Sequence, residues 1–480
     1  MSIGESTERT RGSGKQCSMY LERELESSAG DCFGRLRRLQ RRRRRPRNDS
    51  GGDVAFGAAV PYSPRMRART LGWIFPLLCL APVAESASAG GEQFIVVNII
   101  PGEQYRPVFE EVSRLYPDSA SRTIRVGIGA IFSYLNQPRE RTAADIREFL
   151  SLSSEFDIPV VVQLDGEQWW DGRPDLWNWW DASHPGFDTS NRQNVEWSAW
   201  SPDSALKIAW RNWGRQLRVL PPPNLMSPRY RAACHAEMRA LIPEVLSWWK
   251  NLPAGKKGLL IGLKLGWESS IGVNAFTIPG GNALVSRPEA DDPQITIRAE
   301  RVPDRGLETI GYAAVSGAGL ARGGPLREAD VAEVVRRHLE DLCSLAASLG
   351  VPRDRLFTHV GGWKEGELLY DAALNSSSCP GWSFYRHAAD PSQDAGVMRV
   401  LGKSDAPYWG AVEWLLEGTH TRPEWRAALV ATLAIPRCRY LNVYNWTGIR
   451  ASAAAVGAIG DVLRNSARPA ATGTTNPHRK

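Results

Sequence analysis

The sequence predicts an α/β fold, a single (β/α)₈ TIM barrel with long loops after strands 3 and 4. Three observations carry this: eight short apolar, β-branched runs past residue 90, helical patterns between most of them, and no break in the series. Short apolar β-branched runs alternating with helices signal parallel strands covered on both faces. Eight such units are the arithmetic of a closed barrel, so no second domain is needed.

In chain order the runs are 94–100, 124–130, 158–164, 259–265, 356–360, 382–385, 408–412 and 440–444. The clearest helical patterns are 328–349, with acidic residues in its first turn and Gly350 as its stop, and 423–433. A last helix at 453–463 would close the ring. Two connections are too long to be simple, 165–253 after the third run and 269–324 after the fourth. On a barrel, loops of that length build the face where the active site sits. The tail, 466–480, is rich in Ala, Thr, Pro and Asn and is expected to be disordered.

The formal charge of +7 suggests a nucleic-acid partner until it is located. Residues 1–70 hold 16 Lys plus Arg against 8 Asp plus Glu, so the leader carries +8 and the other 410 residues net −1. A basic body is absent, and no nucleic acid is expected as partner. Met66-Arg67-Ala68-Arg69, an apolar stretch at 71–84 and Ala87-Ser88-Ala89 follow the order of a secretory signal peptide. The apolar stretch is too short for a transmembrane helix, which needs about 20 apolar residues.

The expected organisation is a basic low-complexity extension at 1–65 with translation starting at Met66, a signal peptide at 66–89, the barrel at 90–465, and the tail. The product would be a secreted or periplasmic monomer. A twin-arginine or membrane-anchored leader is the competing reading, but no Arg-Arg pair immediately precedes Leu71. Cys234, Cys343, Cys379 and Cys438 would survive cleavage, either in up to two disulfides or as buried free thiols.

Catalytic residues of such barrels project from the C-terminal ends of strands. The first run ends near Asn98 and Glu103, the second near Ser133 and Tyr134, the third in Asp165-Gly166-Glu167-Gln168-Trp169-Trp170, and the fourth in Gly266-Trp267-Glu268. The fifth delivers His359 and Trp363, the sixth Tyr385 and His387, the seventh Glu413-Trp414, and the eighth Asn445-Trp446. From the second onward each end sets an aromatic residue near a polar one. A sugar site requires that composition, because pyranose C–H faces meet aromatic planes and hydroxyls meet polar groups. Twelve of the 19 tryptophans fall between Trp169 and Trp267. Packing of the loop against the barrel is the plainer explanation; the pairs Trp169-Trp170 and Trp179-Trp180 in a polar, Asp-rich loop favour stacking on substrate.

Glycoside hydrolysis needs one protonated carboxyl to donate to the leaving oxygen and one ionised carboxyl to attack carbon or activate water. Glu268 and Glu413 meet that need, since the fourth and seventh strands lie on facing sides of an eight-membered ring. Trp267 and Trp414 beside them lower the local dielectric and help split the two pKa values. In these residues the chain resembles the retaining glycoside hydrolases of clan A, the "4/7" barrels. The resemblance implies Glu268 as acid/base, Glu413 as nucleophile, and His359 or Tyr385 as the residue steadying the nucleophile. Trp267 stands where the clan has Asn before its acid/base.

The expected hydroxyl ligands are Asp165, Glu167, His359 and Asn445, and the expected stacking platforms Trp169, Trp170, Trp363 and Trp446, with Trp267, Tyr385 and Trp414 also lining the substrate site. An alternative pairs Asp165 or Glu167 with Glu268 as an inverting acid and base. Another makes Glu268 a structural ion-pair partner of Lys264 or Lys364. No metal or cofactor is expected: His359, His387 and His420 are too dispersed for a local metal motif, the glycines at 317–324 lack the Lys-Ser/Thr of a phosphate loop, and Ser269-Ser270 lacks a nucleophile elbow. The rival function is a carbohydrate-binding or cell-envelope interaction protein that keeps the barrel and lacks the reaction.

Overall fold

The computed structural model describes residues 92–466, apart from 118, 214–215, 272–274, 295–305 and 362–368. The expected extension, signal peptide and tail beyond Ser466 lie outside the described residues, as does Trp363. Eight parallel strands pair edge to edge in chain order and close on themselves. They are β1 Gln93–Ile99, β2 Ile124–Ser133, β3 Val160–Asp165, β4 Leu260–Ser269, β5 Leu356–Val360, β6 Gly381–Phe384, β7 Trp409–Trp414 and β8 Cys438–Val443. Closure is made by β1 against β8, with Phe94 opposite Tyr440 and Val97 opposite Val443. The eight apolar runs are thus the eight strands.

The outer layer consists of α1 Tyr105–Leu115, α2 Arg139–Phe156, α3 Pro228–Asn251, α4 Glu328–Ser348, α5 Ala395–Lys403, α6 Arg422–Ala434 and α7 Ala453–Asn465. Between β5 and β6 a short 3₁₀ turn, Leu369–Ala373, packs against the barrel where a helix would stand. α3 starts at Ser227, whose hydroxyl accepts from the Tyr230 N–H, with Pro228 in the first turn. α6 starts in a capping box between Thr421 and Glu424. α7 ends at the ring seam, where the Ser466 carbonyl accepts from both the N–H and the hydroxyl of Thr123 at 2.9 and 2.7 Å.

Two hydrophobic layers follow from the strands. Outward residues such as Ile95, Val97, Val162, Leu263 and Leu441 pack under the helices. Inside the barrel an apolar floor of Phe94, Val96, Val161, Ile261, Phe357, Val412 and Tyr440 fills the N-terminal end. Gly262 belongs to this floor because a Cβ there would lie 2.7 Å from the Phe357 ring. Nearer the C-terminal end the buried residues of the strands turn polar, with Asn98, Gln163, Lys264, His359, Ser383, Glu413 and Asn442. That switch marks the functional end of the barrel.

The long third connection resolves into a loop, 166–227, followed by α3. It and the loop after β4 are knit by a three-stranded antiparallel sheet: Ala209–Asn212 pairs with Gln216–Val219 on one side and Ala275–Phe276 on the other. The buried Glu196 carboxyl fastens the same two loops by accepting from the Ala313 and Ala314 N–H groups, both at 3.2 Å. Cys234, Cys343, Cys379 and Cys438 are buried free thiols, which excludes the disulfide alternative. Among the described residues, no helix is long and apolar enough to cross a membrane.

Candidate active site

The end of β4 is irregular. Its register against β5 shifts between Leu265 and Ser269, and within that stretch Gly266 takes φ 82° and Glu268 φ 50°. Positive φ is uncommon for a residue with a side chain and costs about 1–3 kcal/mol, so it persists where the surroundings impose it. Here Ser269 donates to Glu167 at 2.6 Å, and Gln168 donates to the Trp267 carbonyl. These bonds from the loop after β3 pin the bulge from which Glu268 projects. Gly266 is required because a Cβ would collide with Ser269 Oγ and approach Glu167 Oε1 at 3.1 Å.

Glu268 is 1% exposed. Its Oε1 accepts from the Ser383 hydroxyl at 3.0 Å and its Oε2 from the Trp213 indole N–H at 3.2 Å. Ser383 comes from β6, where the register sets it directly opposite Glu413 of β7. Glu413, 2% exposed, accepts from the Tyr385 hydroxyl, and its Oε2 lies 3.9 Å from His359 Nε2. His359 Nε2 in turn lies 2.9 Å from Ser383 Oγ. One chain of contacts, Glu268–Ser383–His359–Glu413, therefore spans the mouth between strands 4 and 7.

Hydrogen-bond polarity along that chain can be worked out. Gln163 Nε2 donates to the Gly266 carbonyl at 3.0 Å, which fixes the amide orientation, and the same nitrogen faces His359 Nδ1 at 3.5 Å. Nδ1 is therefore the acceptor, Nε2–H donates to Ser383, and Ser383 donates to Glu268. His359 is neutral: burial, then the nearby Lys264 ammonium, hold its pKa well below the ordinary histidine range.

The two glutamates differ in electrostatics. Burial and then the charge of Glu413 push Glu268 up to about 8, against the opposing pull of Ser383, Trp213 and Arg211. Glu413 is raised by burial, while Lys264, Tyr385 and Trp267 all favour its charged form. The Glu413 charge thus favours the proton on Glu268, while three neighbours of Glu413 favour its charged form, an asymmetry in the direction that an acid and a nucleophile require.

Of the other expected residues, Asp165 is wholly buried and committed to the turn after β3, accepting from the Glu167 and Gln168 N–H groups at 2.9 and 3.1 Å and from Ser133 at 2.8 Å. Glu167 holds the β4 bulge and lies 3.1 Å from His338 Nε2. Trp267 stacks on Trp213 at 5.3 Å, and Trp169 meets Trp213 edge-on at 6.0 Å. Trp170 is corrected from stacking platform to core residue: it is 1% exposed and packs edge-on against Tyr230. Trp446 is corrected likewise, being fully buried with its indole donating to Glu111 at 3.0 Å. Trp414 points outward onto Trp425, and Asn445 spends its side chain capping the turn Trp446–Ile449. Ser383, Gln163, Arg211 and Trp213 join the site without having been expected there. Among the described residues, no group of three or more His, Cys, Asp or Glu is placed to hold a metal.

No protein-family model matches the chain, and no curated protein does. Similar solved structures include a GH5_18 enzyme of Bifidobacterium longum subsp. longum in complex with Manb1-4GlcNAc, 14% identical over 74% of this chain and 69% of that one, TM-score 0.37. A GH5-4 broad-specificity endoglucanase from an uncultured bacterium is 8% identical over 78% and 96%, TM-score 0.39. The catalytic domain of a β-amylase from Paenibacillus polymyxa is 8% identical over 80% and 100%, TM-score 0.44. At identities this low the activities of those proteins do not transfer to this chain. The clan A resemblance holds at the level of fold, in a closed eight-stranded barrel whose fourth and seventh strands each carry a glutamate at the position before the last.

Proposed function

We propose that the chain is a glycoside hydrolase that cleaves a glycosidic bond of an oligo- or polysaccharide with retention. The supporting observation is the pairing of two buried glutamates from β4 and β7, joined through Ser383 and His359 and differing in what surrounds each carboxyl. Glu413 attacks the anomeric carbon while Glu268 gives its proton to the departing glycosidic oxygen. The carbon–oxygen bond breaks and a glycosyl ester forms on Glu413. Glu268, now ionised, takes a proton from water as that water displaces Glu413, which restores both groups. Tyr385 steadies Glu413 throughout.

Glu413→Gln keeps the shape and removes the nucleophile. Turnover should fall by about 10³-fold or more while sugar binding persists, as read by hydrolysis assays and calorimetry against a glycan panel. Normal turnover by Glu413→Gln would refute the nucleophile assignment. The anomer first released, followed by proton NMR, separates retention from inversion.

A second reading rests on one observation: the Glu268 carboxyl is capped by Trp213, which stacks on Trp267. A barrel that binds carbohydrate without cutting it would keep that cover closed. Binding of a glycan by the wild-type chain without any cleavage would favour this reading.

A further inference from the structure

Lys264 touches no reacting atom in the mechanism above, although its charge acts on both His359 and Glu413. It sits on β4 within the barrel, 1% exposed, and donates at 2.8 Å to the carbonyl of Val412, the residue immediately before Glu413. That is its one hydrogen bond among the described residues, and an ammonium carries three donors. A cation so deep, with so little local satisfaction, costs several kcal/mol unless counter-charge faces it.

The charged and titratable groups around it can be named. Glu268 of β4 and Glu413 of β7 act on its charge, and neutral His359 of β5 feels it in turn; Tyr385, just past β6, donates to Glu413, and Arg211 interacts with Glu268, Asp165 and Glu167. One ammonium can neutralise one carboxylate. With both glutamates ionised the Lys264–glutamate cluster carries a net negative charge, and with both protonated a bare positive one, so the neutral arrangement holds a single proton on the pair. Within the pair the charge is favoured on Glu413, because Tyr385 donates to it and the backbone carbonyl beside it tethers the ammonium.

We propose that Lys264 is a positioning residue of the glutamate pair: its buried ammonium keeps Glu413 ionised and so leaves the pair's one proton on Glu268. The kinetic consequence rests on the hydrolysis reading above; the charge coupling does not.

Lys264→Met keeps the side-chain length and removes the charge. The acidic limb of its kcat/KM–pH profile should move upward by at least one pH unit, so that activity at pH values below that limb falls tenfold or more and recovers toward alkaline pH. An equal loss at every pH with the limb unmoved would mean a packing role and overturn the proposal. A second measurement needs neither activity nor folding of that variant. The chain has nine lysines, and with ¹³Cε-lysine labelling the buried one is the signal that titrates below the rest, since burial lowers Lys264 to about 8. In Glu413→Gln that signal should titrate at least one unit lower still; an unmoved midpoint overturns the coupling. If the wild-type chain cleaves no glycan, the hydrolysis reading fails on its own and the NMR comparison still decides the role of Lys264.

Discussion

Ser383 is a small residue that links the two carboxyls. It passes a hydrogen bond from His359 to Glu268, and its position opposite Glu413 ties both carboxyls to one point on β6. Its donation favours the ionised form of Glu268, so Ser383→Ala should raise the pKa of the acid. The basic limb of kcat/KM should then move to higher pH by up to about one unit with a modest change at the optimum; a limb moving to lower pH would contradict the donor assignment. Sequence revealed the large charged groups here and missed the small polar ones. Glu268, Glu413, His359 and Tyr385 stand at ends of recognisable apolar runs. A serine within Gly-Trp-Ser-Phe carries no such mark, and only the register between β6 and β7 gives it a role. Arg211 and Trp213 lie more than 40 positions beyond β3 and more than 40 before β4, whose Glu268 they serve, in a hairpin that pattern reading leaves as loop. Trp170 and Trp446 misled for the converse reason: an indole next to a mouth residue can equally point inward, and Tyr230 and Glu111 supply the partners that draw these two in.

At the scale of elements, the two long loops act as one. Hairpin 209–219 and the pair Ala275–Phe276 share a sheet, and Glu196 adds a bond from the third-strand loop to the N–H groups of Ala313 and Ala314. Removing that acceptor leaves two buried N–H groups unsatisfied, so Glu196→Ala should cost about 2 kcal/mol in stability near pH 5. Burial raises Glu196 to about 8 from an ordinary 4.5. Between those values the folded chain holds a proton that the unfolded chain has released, so the contribution of this group is complete below pH 4.5 and lost as pH rises through 8. The gap between wild type and Glu196→Ala in urea midpoint should therefore narrow from pH 5 to pH 9. A constant gap would show that the carboxyl does not titrate in that window. Strands and flanking helices were legible because burial on both faces imposes continuous apolar runs and caps such as Thr421-x-x-Glu424 mark helix starts. The loop architecture was not, since two-residue pairings such as Trp210 with Phe276 span 66 positions without local periodicity.

For the molecule as a whole, the barrel is graded from an apolar floor to a polar mouth. Phe94, Phe357 and Tyr440 fill one end, while Gln163, Lys264, His359 and Ser383 line the other. The grading follows from chain direction, because all eight strands run the same way and each places its later residues at the mouth. Strand order alone thus set the two glutamates across from each other, which is why a correct count of eight sufficed to pair residues 145 positions apart.

The seam at Thr123 has a consequence for how the ring can be cut. Gln93, opening β1, donates its N–H to the Thr123 carbonyl, and Thr123 donates to Ser466 beyond α7, so one residue bridges the first strand and the last turn. A short Gly/Ser linker from Ser466 to Gln93 would join them without crossing the mouth, and new ends could open at the exposed glycines 323 and 324. Such a circular permutant should refold cooperatively with the circular dichroism of the parent. A permutant that stays unfolded would mean that this seam must form from free ends.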